Sequence, residues 1–256
     1  RLGTVPFGAL LTGKSRSKTE DYTSLPYLAR EYAITYQYAS ALFYQNKNIS
    51  RTDNAPGKVF LCAPVHFNGI PDLLATKKEI TDLTEIFNRQ SLVSDQFTEG
   101  QAKKSIIKSS EMRDYKYIHF ATHGYVDENN PQLSRLLLFE SQEETDGKLF
   151  SGEIYNLNLS ARLVTLSACE TGLGKISTGE GIIGLSRAFT YAGAENILVS
   201  LWVVSDESTA QLMINFYDQI ENDNYSLALK KSQLKLMDHP EYSKPFYWAP
   251  FILIGQ

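Results

Sequence analysis

The sequence predicts an α/β fold: a mostly parallel central sheet with helices on both faces and a small antiparallel hairpin. Short apolar segments, typical of buried strands, alternate along the chain with longer segments of helical periodicity. This alternation favours parallel strands joined by crossover helices. The chain has 256 residues, of which 43% are hydrophobic, and can therefore bury a sizeable core.

The predicted strands are apolar runs bounded by glycine, proline, histidine or charged residues, as is typical of strands buried on both faces. They cover residues 58–65, 115–122, 135–140, 162–168, 195–202 and 251–255. Another strand is predicted at 33–38, between two short helices of an aromatic N-terminal region. The run at 135–140 is followed by Asp146-Gly147, which predicts a hairpin.

Helices are predicted between these strands, at residues 71–87, 97–109, 177–193, 205–220 and 226–237. The first has Pro71 at its start, where proline is well tolerated. In the second, Thr98 and Gln101 have the spacing of a capping box. The third ends at Gly193, a typical helix stop.

Charge and composition exclude several classes of function. The net charge of −4 gives no electrostatic reason to expect binding to nucleic acid or an anionic membrane. No apolar run approaches the roughly 18 residues of a membrane span. The two cysteines provide no disulfide framework, so a reducing cytoplasm is the expected location. The chain opens with Arg1 rather than Met, and we expect it to be a piece of a longer protein.

Two reactive side chains follow predicted strands. His123 comes directly after the strand at 115–122, and Cys169 directly after the strand at 162–168. If these strands are parallel neighbours, the imidazole and the thiol emerge at the same rim, where open α/β sheets bind their ligands. A thiol at this place is held by a rigid element and still reaches solvent.

A thiol and an imidazole together suit acyl transfer. A free thiol has a pKa of about 8.5, and a nearby imidazole can take its proton and later protonate a leaving amine. The N–H groups of Gly124 and Cys169 would be the oxyanion donors. Taken alone, Cys169 would be interpreted as a structural cysteine and His123 as a hydrogen-bonded polar residue at the end of a strand. Only the two together indicate a catalytic role. His119 and Cys62 are interpreted as core residues, and no metal-ligand spacing or cofactor motif is evident.

Five segments resemble the CHAT domain, a caspase-like cysteine peptidase module related to separases. They are, in order, "HFATHG", "LSACETGLG", "GEGIIGLSRAF", "AGAENILVSLWVVSDEST" and "YWAPFILIGQ". The resemblance runs from about residue 25 to residue 256. It implies a caspase–hemoglobinase-like three-layer sandwich with His123 and Cys169 as the catalytic dyad and Gly124 in the oxyanion hole. Residues 1–57 would then be an N-terminal extension packing on a peptidase core of 58–256.

The resemblance also implies where a substrate binds. In caspase-like enzymes the strand corresponding to "SLW" pairs with the extended substrate, which assigns this role to Ser200, Leu201, Trp202 and Val203. Separases carry an acid directly after this tryptophan and another three positions later. This chain has Val203 at the first place and Asp206 at the second, so Asp206 or Glu180 would select a basic residue before the cut.

The sequence therefore predicts a cysteine endopeptidase that cleaves a protein or peptide substrate. The resemblance implies control by an upstream tetratricopeptide-repeat or sensor region, and a role in bacterial defence or regulated cell death. The alternative is a non-catalytic caspase-like interaction module. A nucleotide-binding protein is a weaker option, because "CETGLGKIST" has Cys169 and Ile176 where a phosphate loop needs glycine and serine or threonine. The loop at 172–181 is expected to move on substrate binding or activation.

Overall fold

A computed structural model describes residues 5–14, 21–39, 57–107, 110–127, 129–141, 145–167 and 180–255. Its strands are β1 (Thr35–Tyr36), β2 (Lys58–Ala63), β3 (Val93–Thr98), β4 (Tyr115–Phe120), β5 (Gly124–Tyr125), β6 (Arg135–Leu137), β7 (Lys148–Phe150), β8 (Leu163–Leu166), β9 (Ile197–Ser200) and β10 (Phe251–Ile254). Its helices are α1 (Leu28–Glu31), α2 (Ala75–Arg89), α3 (Lys104–Ile107), α4 (Ser151–Ile154), α5 (Glu180–Ala192), α6 (Asp206–Gln219), α7 (Tyr225–Met237) and α8 (Pro245–Trp248). Among these residues, no helix is both long and apolar enough to cross a bilayer.

The central sheet has the strand order β1-β10-β9-β8-β4-β2-β3. Its pairs are parallel except β10 with β9, which is antiparallel. This confirms the predicted mostly parallel sheet. The parallel arrangement brings the carboxyl ends of β2, β4, β8 and β9 to one rim, where the candidate site lies.

The central strands bury side chains on both faces, because successive residues of a strand point to opposite sides. In β2, Phe60 and Cys62 join one apolar cluster, which α5 covers. Val59 and Leu61 join the other, which packs against α2, α6 and α7. The fold is thus a three-layer α/β sandwich, and Cys62 is a core residue as predicted, with no exposed surface.

A small antiparallel sheet, of order β5-β6-β7, accompanies the central one. It confirms the hairpin predicted from 135–150. Leu137 pairs with Lys148, so the connection covers residues 138–147 and Asp146-Gly147 lies at its end instead of forming a tight turn. A side chain at position 147 would collide with Glu140, which explains why glycine stands there.

Two helix predictions need correction. The helix predicted from residue 71 begins at Ala75, because Asp72 and Leu73 instead close the preceding loop by hydrogen bonds to Phe67 and Val65. The helix predicted over 97–109 is wrong: β3 runs through Thr98, a 3-10 turn covers Glu99–Gln101, and only the short α3 follows. Thr98 makes no side-chain capping bond. Parallel pairing of β3 with β2 along its whole length outweighs the local capping signal.

Candidate active site

His123 lies just beyond the end of β4, and its backbone is fixed by the small sheet. The N–H of Leu137 donates to the His123 carbonyl at 2.8 Å. The hydroxyl of Thr122 donates to the Leu137 carbonyl. His123 is only 6% exposed, so its neighbours enclose the imidazole.

The imidazole of His123 has a defined orientation. Its Nε2 lies 2.8 Å from the Pro71 carbonyl oxygen. Since a carbonyl can only accept, Nε2 carries the proton of this bond, and Nδ1 is the basic nitrogen of the neutral ring. The Phe67 ring packs edge-on at 4.6 Å between ring centroids. Burial lowers the pKa of His123, while the Pro71 bond and the Asp72 charge act in the opposite direction.

The loop after β2 places the Pro71 carbonyl. The Asp72 carboxylate accepts from the Phe67 N–H at 3.0 Å and bonds to His66 Nδ1 at 2.8 Å. The Leu73 N–H donates to the Val65 carbonyl at 2.9 Å and closes the loop. Val65 adopts φ of 67°, an outlier for a β-branched residue. Such strain is held only where the surroundings determine the conformation, and it concentrates at functional sites.

The strand that leads to Cys169 is the direct neighbour of β4. Phe120 pairs with Leu166, and the Ser167 N–H donates to the Phe120 carbonyl at 3.0 Å. Cys169 itself belongs to 168–179, outside the described residues. Its pairing with His123 and its N–H as an oxyanion donor stay predictions. Gly124 is buried, directly follows His123 and pairs with Leu136.

The predicted substrate segment leaves the central sheet at the same rim. Ser200 ends β9, and the Leu201 N–H donates to the Pro250 carbonyl at 3.0 Å. The Trp202 indole N–H donates to the Phe246 carbonyl at 3.0 Å, which anchors the ring. Val203 is 51% exposed, and within the described part of the chain its main chain forms no hydrogen bond. The backbone from Trp202 onward is therefore outside the ladder of β9.

Asp206 joins the starts of two helices. It is the first residue of α6, and its carboxylate accepts from the N–H of Ala75, the first residue of α2, at 2.6 Å. Burial raises the pKa of Asp206 to about 6; the Ala75 bond opposes this shift, and the charges of Glu79 and Glu207 add to it. Glu180 begins α5, and its side chain is outside the described part.

The raised pKa of Asp206 predicts a pH-dependent stability difference. Because the folded-state pKa lies above the ordinary 3.8, the ionised carboxylate is disfavoured in the folded protein near pH 7. Asp206→Asn keeps an oxygen for Ala75 and removes the charge, so we expect Tm to rise by about 2–4 °C at pH 7. This advantage should shrink as pH falls through about 6 towards 4. Thermal unfolding at both pH values tests it, and an advantage of equal size at pH 7 and pH 4 would contradict it.

Sequence reasoning missed three residues around His123. They are Phe67, Pro71 and Asp72, which all lie in the loop after β2. The available signal was topological: a loop that follows a strand next to β4 in a parallel sheet must reach the same rim. The sequence assigned Pro71 to a helix start, and a backbone carbonyl acceptor leaves no trace in the residue type.

Comparison with known proteins gives the family. The CHAT domain family matches residues 1–256. Tetratricopeptide repeat protein 28 from Mus musculus is 33% identical over 108 residues, 42% of this chain and 4% of that protein. Its Homo sapiens counterpart is 34% identical over 108 residues. The chain thus corresponds to a small part of these relatives' length.

Solved structures show the same fold at low sequence identity. A complex of the Porphyromonas gingivalis RgpB pro- and mature domains matches with a TM-score of 0.53 and 11% identity, covering 82% of this chain and 49% of that one. The Arg-specific cysteine proteinase gingipain R (RgpB) matches with a TM-score of 0.51 and 11% identity, covering 82% and 48%. The fold is therefore caspase-like, and the chain belongs to the CHAT domain family.

Proposed function

We propose that this chain is a cysteine endopeptidase module with Cys169 as nucleophile and His123 as general acid and base. The register of β4 and β8 is the observation that carries the proposal. Tyr117 pairs with Leu163, and Phe120 pairs with Leu166. In the sequence, His123 and Cys169 each come three residues after this last pair, past the ends of two neighbouring parallel strands.

The surroundings of His123 suit each step of the reaction. The neutral imidazole, favoured by burial, accepts the thiol proton at Nδ1, and the thiolate attacks the peptide carbonyl carbon. The N–H groups of Gly124 and Cys169 would stabilise the oxyanion. The imidazolium returns its proton to the departing amine as the C–N bond breaks, and water then hydrolyses the thioester with the imidazole as base. Throughout, the Pro71 carbonyl holds Nε2–H and stabilises the imidazolium.

The residues before the cut would bind along Ser200, Leu201, Trp202 and Val203. The exposure of Val203 and its unbonded main chain within the described residues support addition of a substrate strand there. Asp206 and Glu180 would supply negative charge for a basic residue before the cut. The Arg specificity stated for gingipain R is consistent with this choice.

Control would come from an attached repeat region. The tetratricopeptide repeat protein 28 relatives support this, since the part that they share with this chain belongs to a much longer protein named for its repeats. We propose that the substrates are a small number of proteins and that cleavage takes place in the cytoplasm. The role would be in bacterial defence or regulated cell death.

Covalent labelling tests the nucleophile. A peptidyl acyloxymethyl ketone with a basic residue next to the warhead should label the wild type, and Cys169→Ala should abolish labelling. Cys62→Ala is the matched control, because Cys62 is completely buried and burial raises its pKa. Labelling of this control should be unchanged. The readout is intact-protein mass spectrometry.

The same experiment separates the alternatives. Labelling that persists in Cys169→Ala would reject the assigned nucleophile. A folded wild type that takes no label and cleaves no peptide would instead favour the non-catalytic interaction module. Circular dichroism of each variant confirms that the compared proteins are folded.

A further inference from the structure

A cavity of about 220 Å³ is lined in part by Phe67, the residue whose ring packs on His123. One wall is the loop after β2, with His66, Phe67 and Asn68, and the other comes from residues 137–140 and 147–148, at the facing ends of β6 and β7. The volume is below the roughly 300–1,000 Å³ of typical small-molecule sites. One bulky side chain therefore suits it better than a cofactor.

Two residues that line the cavity also contact His123, one at its imidazole and one at its backbone carbonyl. The Phe67 ring lines the cavity and also packs on His123, with 4.6 Å between ring centroids. Leu137 lines the cavity, and its N–H bonds to the His123 carbonyl at 2.8 Å. A side chain seated there would lie next to Phe67, whose ring packs on the catalytic base.

The sheet order places the cavity on a definite side of the scissile bond. The order is β9-β8-β4-β2, so His123 stands between the strand leading to Cys169 and the loop after β2. In the proposed reaction the imidazole protonates the leaving amine, which belongs to the residue after the cut. With the residues before the cut on the β9 side, the chain after the cut continues over His123 towards this cavity.

The two charged side chains that line the cavity, Lys148 and Glu140, have opposite signs and lie 3.8 Å apart. His66 Nδ1 is hydrogen-bonded to the Asp72 carboxylate at 2.8 Å. No single charge dominates this wall, so a charged occupant gains little and loses its hydration. Apart from Asn68 at the rim, the remaining partly exposed side chains of the wall are apolar: Phe67, Leu137 and Phe139.

We infer that this cavity binds a large apolar or aromatic side chain at the position immediately after the cut. The inference rests on the proposed function and adds a second specificity element to it. The enzyme would then select residues on both sides of the scissile bond. Residues before the cut would bind on the β9 side, and the residue after the cut would bind in the cavity.

A peptide library derived from a digested proteome measures both sides of each cut at once. With the full chain, cleavage sites should favour Phe, Tyr, Leu or Met after the cut by about tenfold over Asp, Glu or Gly. Asn68→Trp fills the cavity from its exposed rim and should shift this position to Gly, Ala or Ser. The preference before the cut should not change. Asn222→Trp, the same substitution in an exposed turn after α6, is the matched control and should keep the wild-type profile.

The outcomes separate this inference from the proposed function. Cleavage that depends on Cys169 but shows no selection after the cut, or selects charged residues there, overturns the inference alone. An unchanged profile in Asn68→Trp does the same. Absence of Cys169-dependent cleavage and of labelling overturns the proposed function and the inference with it. Acyloxymethyl ketone labelling should reach the same final extent in Asn68→Trp and wild type, because the acyloxy group departs as the thioether forms and the adduct keeps only the residues before the cut.

Discussion

Replacing His123 with alanine is expected to lower kcat/KM for peptide cleavage by a factor on the order of 10²–10⁴. The imidazole has two tasks, since it removes the thiol proton and protonates the leaving amine. The Phe67 ring and the Pro71 carbonyl, which contact the imidazole, can perform neither task. Cys169→Ala should abolish turnover. Cleavage of a fluorescence-quenched peptide chosen from the library measures both variants.

The pH dependence of kcat/KM distinguishes a chemical role of His123 from a merely structural one. Because burial lowers the pKa of His123, the imidazole stays neutral below the ordinary value of about 6.5, and the acid limb of kcat/KM should lie below that value. The nearby Asp72 charge raises this pKa. Asp72→Asn keeps an oxygen for the Phe67 N–H and removes the charge, so it should move the acid limb to still lower pH.

Two results would contradict the assignment. An acid limb that does not respond to Asp72→Asn would belong to another group. A His123→Ala variant that is folded and keeps wild-type kcat/KM would remove the imidazole from the mechanism. Thermal unfolding of the variants at pH 7 provides the control for folding.

The fold was predictable where burial leaves a simple pattern. The strands β2, β4, β8, β9 and β10 are apolar runs because helices or loops cover both of their faces. β3 escaped prediction because it lies at the edge of the sheet, where its sequence "VSDQFT" keeps polar and partly exposed residues. Its pairing with β2 comes from tertiary contact, which local propensity does not encode.

The site was predictable only in part. His123 stood out because a histidine follows a buried strand and precedes glycine. The acceptor that orients it, the Pro71 carbonyl, is a backbone atom and could belong to any residue type. The sequence assigns Asp206 to the substrate site, whereas its bond to Ala75 joins elements far apart in sequence. Contacts of this kind follow from the packing of α2 against α6, which the sequence pattern leaves open.

Replacing Glu79 with alanine is expected to destabilise the protein by about 3–5 kcal/mol, the cost of breaking a buried pair. Glu79 and His119 have no exposed side-chain surface, and Glu79 Oε1 lies 2.8 Å from His119 Nε2. The network continues through Tyr217, whose hydroxyl lies 3.3 Å from His119 Nδ1 and donates to Thr165 at 2.7 Å. It joins α2 and α6 to β4 and β8, under the rim that carries His123.

A double replacement distinguishes loss of the Glu79–His119 interaction from general destabilisation of the fold. Glu79→Ala leaves His119 buried without its carboxylate, whereas Glu79→Leu with His119→Leu removes both polar groups, so the double variant should lose less stability than Glu79→Ala. Urea unfolding at pH 7 gives the free energies of unfolding. A loss below about 1 kcal/mol in Glu79→Ala, the range of ordinary single substitutions, would refute the importance of the pair.

Because α2 begins directly after the loop that holds Pro71, a loosened helix should also release His123 Nε2, so cleavage by Glu79→Ala should fall even at temperatures where the variant is folded.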